Sequence, residues 1–437
     1  MNGTEPTAAT ERSERSLLDV EGLKKHFDRS NGFLDQLVGD AGMIRAVDGV
    51  NFGLDQGETL AVVGESGCGK STLGRTVLQL DEPTEGSVYF DGEELTSLSD
   101  RGMQPYRRRM QMIFQDPLAS LNPRKTIIDI LTAPMDVHDI CESTEERQER
   151  ARELLERVGL KRSYAERYPQ QFSGGQQQRV GIARALAVEP DVIVADEPVS
   201  ALDVSVQAQI LNLLGDLQDE YDLALLFISH DLSVVNQVAD RVAVMYLGEL
   251  VETGPVEDLF TDPRHPYTES LLSAVPRINP DARTNRIILE GTVPSPADPP
   301  SGCRFHTRCP KVIPPDRWES DQTSFRAAFS FRNQILSDNL DPDAIRDRLK
   351  SQGRGTDESE VADYVVETAL DVDRDRLPPE ASEAVRTAAE SVAAENQDRA
   401  KSVVRETFPS PCEREVPDTV WVSDDHSAAC HRVQSTD

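Results

Sequence analysis

A glycine-rich run at residues 64–72 is the first part of the chain whose residue types could do chemistry. It fits the phosphate-binding pattern G-x-x-x-x-G-K-[ST] and stands between an apolar run and a helical pattern. Glycines let successive backbone N–H groups converge on phosphate oxygens, and the start of the following helix adds positive potential. Lys70 is expected to reach the β- and γ-phosphates, and Ser71 offers a hydroxyl to Mg²⁺. The predicted nucleotide-binding residues are Gly64, Glu65, Ser66, Gly67, Cys68, Gly69, Lys70, Ser71 and Thr72, with Cys68 a filler of the loop and not a nucleophile.

Two consecutive carboxylates follow a second apolar run, at residues 192–195. Asp196 is expected to hold Mg²⁺, directly or through water, as the partner of Ser71. Glu197, one residue on, is expected to polarise the water that attacks the terminal phosphate. A general base of this kind contributes about 10²–10⁴-fold to a rate. The two motifs together predict a hydrolase acting on a nucleoside triphosphate.

The elements that position these motifs follow from apolar periodicity. Buried-strand patterns alternate with helical patterns, which predicts an α/β sheet covered on both faces. The first part of the chain, residues 17–54, contains β-rich runs separated by turn residues. One helix is predicted at residues 144–158, with Thr144 as its cap. The other predicted strands lie at 58–63, 192–195, 223–228 and 242–246, and the other helices at 176–188, 204–220, 232–239 and 381–394.

Residues 172–179, Phe-Ser-Gly-Gly-Gln-Gln-Gln-Arg, resemble the signature loop of ATP-binding-cassette (ABC) proteins, with Phe172 at the usual leucine position. The other motifs of that family are also present and in order over residues 17–275. They are Gln115 in Phe-Gln-Asp-Pro, the turn at residues 200–203, and His230 in Ile-Ser-His-Asp. The resemblance implies a P-loop NTPase fold of the ABC ATPase type. This fold has a mixed sheet, an antiparallel β subdomain and a helical subdomain, here around residues 115–175.

The resemblance also implies roles for individual residues. Gln115 would contact Mg²⁺ and the attacking water, and His230 would hydrogen-bond the γ-phosphate and help Glu197 position that water. Phe27 stands where the family stacks an aromatic ring on adenine, and His26 is the competing candidate. In this family two ATP molecules are sandwiched in a head-to-tail dimer. The residues that would act on the ATP of the opposite subunit are Ser173, Gly174, Gly175, Gln176 and Asp203.

A finer resemblance is to the ATP-binding subunits of oligopeptide and dipeptide importers. It is carried by residues 64–69, 115–124, 265–268 (His-Pro-Tyr-Thr) and 293–310. It implies two transmembrane permease subunits, a second ABC ATPase or a second copy of this chain, and an extracytoplasmic peptide-binding protein. The implied location is the cytoplasmic face of the cell membrane.

Other functions stay open at this stage. The same subfamily includes importers of nickel and of some sugars. Some soluble ABC ATPases act on ribosomes or DNA, but these usually fuse two cassettes or insert zinc modules, whereas this chain has one phosphate-binding loop and one signature. A scaffold with a dead nucleotide site conflicts with intact Lys70, Asp196 and Glu197.

The C-terminal extension, residues 276–437, carries the remaining chemistry. Cys303, Cys309, Cys412 and Cys430 could together hold an iron–sulfur cluster or a zinc ion, or remain free thiols. Related importer ATPases carry a 4Fe–4S cluster on four cysteines. Here an acidic, helix-rich insertion at about 316–410 separates the second cysteine from the third. The ends of an inserted domain often lie close together, so the four thiols could still meet.

Composition limits the remaining choices. The chain has 437 residues, with 46 Lys+Arg against 77 Asp+Glu and a net charge of −31, which argues against nucleic-acid binding. No apolar stretch reaches the roughly 18–20 residues of a membrane span. Residues 1–16 are polar, so we expect a disordered tail and no secretory signal. Only eight of the basic residues are lysine, and this acidic, lysine-poor composition favours a protein that works in concentrated salt.

Overall fold

The computed structural model describes residues 16–28, 43–275 and 286–433. Apart from Ser16, the predicted N-terminal tail lies outside these residues. Within them the strands form two sheets. The strands are β1 (Leu18–Asp28), β2 (Met43–Leu54), β3 (Thr59–Val63), β4 (Glu85–Phe90), β5 (Glu93–Glu94), β6 (Met110–Ile113), β7 (Val192–Asp196), β8 (Ala224–Ser229), β9 (Arg241–Tyr246), β10 (Glu249–Pro255), β11 (Thr419–Trp421) and β12 (Ser427–Ala429).

The larger sheet has the order β11-β12-β10-β9-β3-β8-β7-β6. Its centre is parallel from β9 to β6, and β10, β12 and β11 add to it antiparallel. The smaller sheet is antiparallel throughout, with the order β2-β1-β4-β5. The predicted α/β fold with a separate antiparallel part is therefore confirmed.

Sixteen α-helices connect and cover these strands within the described residues. Those of the first 275 residues are α1 (Lys70–Val77), α2 (Gln104–Arg109), α3 (Pro117–Ser120), α4 (Ile127–Val137), α5 (Thr144–Arg157), α6 (Gly174–Leu186), α7 (Val204–Tyr221), α8 (Leu232–Val238), α9 (Val256–Thr261) and α10 (Pro266–Ser273). Those of the C-terminal extension are α11 (Gln322–Leu336), α12 (Pro342–Ser351), α13 (Glu358–Ala369), α14 (Pro379–Ala393), α15 (Gln397–Thr407) and α16 (Pro411–Arg414). None of the described helices is both long and apolar enough to cross a bilayer.

Two predicted helix starts differ from the structure. The helix predicted at 144–158 is capped by Ser143, whose hydroxyl accepts from the Glu146 N–H at 3.2 Å, and Thr144 is already helical. Ser143 has the extended backbone that a cap residue requires, which a sequence pattern does not reveal. The helix predicted at 176–188 begins at Gly174, because Ser173 and Gln176 form a reciprocal capping box.

The central strands β3, β7 and β8 are buried along their whole length. In β3, Leu60 and Val62 face a core shared with the antiparallel sheet, while Ala61 and Val63 face a core shared with the helical part. This alternation is the two-residue period of a strand covered on both faces. Because β9, β3, β8, β7 and β6 are parallel, their carboxyl ends lie at the same edge of the sheet. Functional side chains in such sheets are assembled at this edge.

The C-terminal extension contains a helical unit with its own core, formed by α11 to α15. Helix α11 belongs to both units. Phe325 and Phe329 pack in the main core, whereas Phe331 and Ile335 pack in the core of the insertion. Each pair is spaced by four residues, so each lies on one helix face. Helix α11 thus has two apolar faces, one packed in each core, and it anchors the insertion to the ATPase body.

Candidate nucleotide-binding and catalytic site

The phosphate-binding loop (residues 64–72) lies between β3 and α1 and borders a cavity of about 690 Å³. Gly69 takes φ 109° at the start of α1, and a Cβ there would lie 1.9 Å from the carbonyl oxygen of Ala46. Only glycine fits such a contact. The close approach of the chain explains why the loop needs glycine there, beyond any contact with phosphate.

Lys70 is 5% exposed at the base of this loop. Its ammonium group donates to the carbonyl oxygens of Gly64, at 2.9 Å, and Glu65, at 3.1 Å. A cation held against the loop is suited to attract the phosphate charge of a nucleotide. Burial raises the pKa of the Cys68 thiol, which stays neutral beside Lys70. A buried, neutral thiol of this kind is not activated for nucleophilic attack.

Ser71 and Asp196 come together from α1 and the end of β7. The Ser71 hydroxyl donates to Asp196 Oδ1 at 2.8 Å. Asp196 is 6% exposed, and its burial raises the pKa of the carboxyl. A divalent cation beside this carboxylate would offset the cost of burying its charge. Hydroxyl and carboxylate oxygens are ligands that Mg²⁺ accepts, so the donor set fits the predicted metal.

Glu197 lies at the centre of a short hydrogen-bond network at the same edge of the sheet. The Gln115 side-chain amide donates to Glu197 Oε2 at 2.8 Å, and His230 Nδ1 lies 2.9 Å from Oε1. These residues follow β6, β7 and β8, and all three line the cavity beside the phosphate-binding loop. Glu197 has a left-handed backbone, φ 45°, with its N–H bonded to the carbonyl of Ile228. Strain of this kind concentrates at functional sites.

The signature loop lies elsewhere on the chain. Ser173 caps α6 and Gly174 is its first helical residue, while a Cβ on Gly175 would lie 2.4 Å from Val206. Asp203 caps α7, and its hydrogen bond from Ser205 holds the pKa of its carboxyl low. Among the described residues that line the phosphate cavity, none belongs to 173–176 or is Asp203. Gly174 instead lines a second, smaller cavity, which Gln115 and Glu197 also border.

The antiparallel sheet borders the cavity through Ile44 and Ala46 of β2. Phe27, near the end of β1, is 39% exposed and pairs with Ile44, which lines the cavity. Lys25 Nζ lies 5.0 Å from the Phe27 ring centroid. His26, the competing candidate, points to Asp48, with 2.8 Å between Nε2 and Oδ1. Of the two rings, that of Phe27 is the more exposed, and its stacking on adenine stays a prediction.

Tyr267 on α10 and two residues of the C-terminal extension also contact the site, which the sequence did not indicate. The Tyr267 hydroxyl accepts from the Glu65 N–H at 2.9 Å, and Arg308 pairs with the Glu65 carboxylate. Pro296 lines the cavity and its carbonyl accepts from the Arg45 N–H. The sequence signal was the His-Pro-Tyr-Thr motif at 265–268, which carried a resemblance but no role.

The four C-terminal cysteines lie close together despite the insertion. The Cys303 N–H donates to the Cys412 carbonyl at 2.8 Å. Burial raises the pKa of Cys303 to about 12 and also raises that of Cys309 and Cys430, and charge on the neighbouring thiols adds to each shift. In the described part of the chain, no group of three or more His, Cys, Asp or Glu side chains could hold a metal ion. The placement of these thiols therefore supports neither zinc ligation nor an iron–sulfur cluster.

Comparison with known proteins gives three family matches. The ABC transporter model matches residues 47–200, and the model of the oligopeptide/dipeptide transporter C-terminal region matches residues 251–314. The model of a domain of unknown function, DUF8228, matches residues 322–425, which include most of the insertion.

The alignments with similar curated proteins extend over most of the length of those proteins. The oligopeptide transport ATP-binding protein AppF of Bacillus subtilis is 52% identical over 308 residues, which are 70% of this chain and 92% of AppF. The dipeptide transport ATP-binding protein DppF of Escherichia coli is 50% identical over 302 residues, 69% of this chain and 89% of DppF. A putative peptide import ATP-binding protein of Brucella ovis is 54% identical over 301 residues, 69% of this chain and 92% of its own. This chain therefore belongs to the ABC ATPases, in the family of oligopeptide and dipeptide transport ATP-binding proteins.

Proposed function

We propose that this chain is the ATP-hydrolysing subunit that powers peptide import across the cytoplasmic membrane. The observation that carries the proposal is the meeting of Gln115, Glu197 and His230 beside the phosphate-binding loop. A carboxylate held by two side chains at 2.8 and 2.9 Å is oriented before any water arrives. Orientation of this kind is what a general base requires.

In the proposed reaction, Lys70 and the loop amides hold the β- and γ-phosphates of ATP. Ser71, Gln115 and Asp196 would hold Mg²⁺, which neutralises charge that develops on the phosphates. Glu197 orients the attacking water and accepts its proton. His230 hydrogen-bonds the γ-phosphate and, through its contact with Glu197, fixes the direction of the carboxylate. Phe27 stacks on the adenine ring.

A complete site needs a second subunit under this proposal. Ser173, Gly174, Gly175 and Gln176 stand at the start of α6, where backbone amides and the helix dipole favour an anion. Together with Asp203 they would face the γ-phosphate bound to the partner, which is a second ABC ATPase or a second copy of this chain. ATP then closes the dimer and hydrolysis reopens it.

The membrane partners are two permease chains, contacted at the cytoplasmic face. Leu118 on α3 is 46% exposed and lies three residues after Gln115. A permease that covers Leu118 would therefore be linked through α3 to Gln115 and Glu197. Peptides are the proposed cargo because AppF and DppF are named oligopeptide and dipeptide transport proteins. An extracytoplasmic peptide-binding protein would deliver them, whereas nickel or a sugar remains the alternative cargo.

Gentle purification of the chain from its own membranes in high salt tests this assembly. We expect two permeases and a second ABC ATPase in the purified complex. Leu118→Asp should lose the permeases but keep ATP binding, because Leu118 is outside the residues lining the cavity. Val416→Asp serves as the control, because Val416 is likewise an exposed aliphatic residue but lies far from Leu118 in the sequence. Recovery of the chain with ribosomes or DNA-repair factors would contradict the transport assignment.

The iron–sulfur cluster on Cys303, Cys309, Cys412 and Cys430 stays a prediction, because the described side chains there do not form a metal site. The Cys303 N–H does donate to the Cys412 carbonyl at 2.8 Å, so the two ends of the insertion meet. Four thiolates are the usual donor set, and the cluster would tie residues 303–309 to the chain after the insertion. Anaerobic purification with iron and sulfide analysis tests this. Cys309→Ser should remove the iron and Cys141→Ser should not. Colourless wild-type protein without iron would contradict it.

A further inference from the structure

The phosphate-binding loop is held from outside the ATPase core by a buried arginine of the C-terminal extension. Arg308 donates from Nη1 to Glu65 Oε2 at 2.7 Å and from Nη2 to Oε1 at 3.0 Å. Two parallel bonds of this kind fix both the direction and the distance of the carboxylate. Glu65 is the second residue of the loop, so the pair ties the loop to a segment 243 residues later in the chain.

Packing makes this contact rigid. The Arg308 side chain is only 8% exposed and that of Glu65 is 26% exposed. Beside them, three aromatic rings pack edge to face or tilted, with centroids 4.7 Å apart for Tyr246 and Tyr267 and 5.2 Å from each to Phe305. An ion pair in such surroundings is poorly screened by solvent, so loss of one partner leaves a charge without compensation.

Tyr267 holds the same loop residue through its main chain. Its hydroxyl accepts from the Glu65 N–H at 2.9 Å, and the residue is fully buried. Burial raises the pKa of the phenol, which therefore stays neutral. On its other side the carbonyl of Glu65 accepts from Lys70 Nζ at 3.1 Å. Glu65 thus stands between the C-terminal extension and the lysine that is proposed to bind phosphate.

The segment 303–309 also reaches the other end of the cavity. Arg304, 7% exposed, pairs with Asp48, and Asp48 in turn bonds His26, the neighbour of Phe27. The same segment is bonded through Cys303 to Cys412, beyond the insertion. One short piece of chain therefore touches the phosphate end and the sheet at the adenine end, and joins both to the C-terminal region.

We propose that Arg308, of the C-terminal extension, and Tyr267, on α10, are positioning residues for ATP: they hold the phosphate-binding loop in the shape that binds the nucleotide, so that through Arg308 the C-terminal extension sets ATP affinity. This inference rests on the proposed assignment of residues 64–72 as the ATP site. It assigns the extension a part in nucleotide binding, in addition to the proposed permease contact at Leu118. Neither residue touches the reacting atoms, so both act through Glu65.

ATP binding to the full-length chain tests the inference, with KM and kcat measured separately. Arg308→Gln should weaken ATP binding at least tenfold and raise KM by a similar factor, while kcat changes much less. Arg308→Lys, which keeps the charge but loses one of the two bonds, should fall between. Tyr267→Phe should weaken binding several-fold. Arg241→Gln is the matched control, because Arg241 is 12% exposed and pairs with Glu58 at 3.0 Å, and neither residue lines the cavity.

A double-mutant cycle adds a readout that general destabilisation would not reproduce. If Arg308 acts through Glu65, the double variant Glu65→Gln/Arg308→Gln should bind ATP about as tightly as the single variant that has the lower ATP affinity. Unchanged ATP affinity in folded Arg308→Gln or Arg308→Lys would overturn the inference, as would an equal loss in Arg241→Gln. Failure of the wild-type chain to bind ATP would instead refute the ATP site itself, so the two failures are distinguishable.

Discussion

Replacement of Glu197 by glutamine isolates proton transfer from every other property of the site. Glutamine has the size of glutamate, and its amide can still bond both neighbours. Its oxygen can accept from Gln115, and its NH₂ can donate to His230 Nδ1 when that nitrogen is unprotonated. The variant should therefore fold, bind Mg-ATP and keep the network, yet have no carboxylate to accept the proton of water.

The size of the effect follows from the role. Loss of a general base costs about 10²–10⁴-fold in rate, which corresponds to about 3–5 kcal/mol of transition-state stabilisation. We expect kcat to fall in this range while the ATP Kd stays within about threefold of wild type. Because ATP binds and is not consumed, the variant should accumulate in the closed dimeric state under the proposed mechanism.

Phosphate release and nucleotide binding, measured on the same preparation, provide the assay. Glu189→Gln is the matched control, since Glu189 also has a left-handed backbone, φ 54°, and also bonds a basic side chain, that of Arg150. The control should keep wild-type turnover. Wild-type phosphate release from Glu197→Gln would refute the assignment of Glu197, and a parallel loss of ATP binding would show that the residue acts on binding and not on proton transfer.

Three further outcomes are expected. Lys70→Ala should weaken ATP binding by at least tenfold, measured by titration with a fluorescent nucleotide, and unaltered affinity would contradict its role. Burial lowers the pKa of His265 to about 4, so the unfolded state binds more protons than the folded state between about pH 6.5 and 4. The free energy of unfolding should therefore decrease as the pH is lowered through this range. His265→Asn, which keeps a cap for the Tyr267 N–H, should flatten this slope in denaturant titrations, whereas His431→Asn should not. With a net charge of −31, the melting temperature should rise between 0.1 M and 2 M KCl because salt screens self-repulsion; full stability in dilute buffer would contradict the high-salt interpretation.

The sequence predicted the parts of the fold and site that depend on local pattern. Apolar runs located the parallel strands β3, β7, β8 and β9 but missed the four-residue β6. The carboxyl edge that these strands share explains why Ser71 and Asp196, 125 residues apart, lie at 2.8 Å. Spacing could not reveal Ser143 as a cap, because capping depends on the backbone conformation that the residue adopts. The fold class and the family were confirmed, whereas the boundaries of the domains remain predictions.

Contacts between distant parts of the chain were beyond such patterns. The pairing of Arg308 with Glu65 spans 243 residues. The chain contains 46 basic and 77 acidic residues, so many other pairings of opposite charges were possible. Nothing in either local sequence selects this partner over others. The proximity of Cys303 to Cys412 likewise depends on how α11 to α15 fold into a unit whose ends meet. Tertiary packing decides both contacts.

Transport by the purified membrane complex, rebuilt in lipid vesicles with its peptide-binding protein, tests the central claim most directly. Uptake of a labelled peptide and release of phosphate would be measured together, with wild-type chain and with Glu197→Gln. We predict that peptide accumulates only with ATP, and that uptake and phosphate release fall together in the variant. ATP hydrolysis by the wild-type complex without any ATP-dependent peptide accumulation would contradict the account.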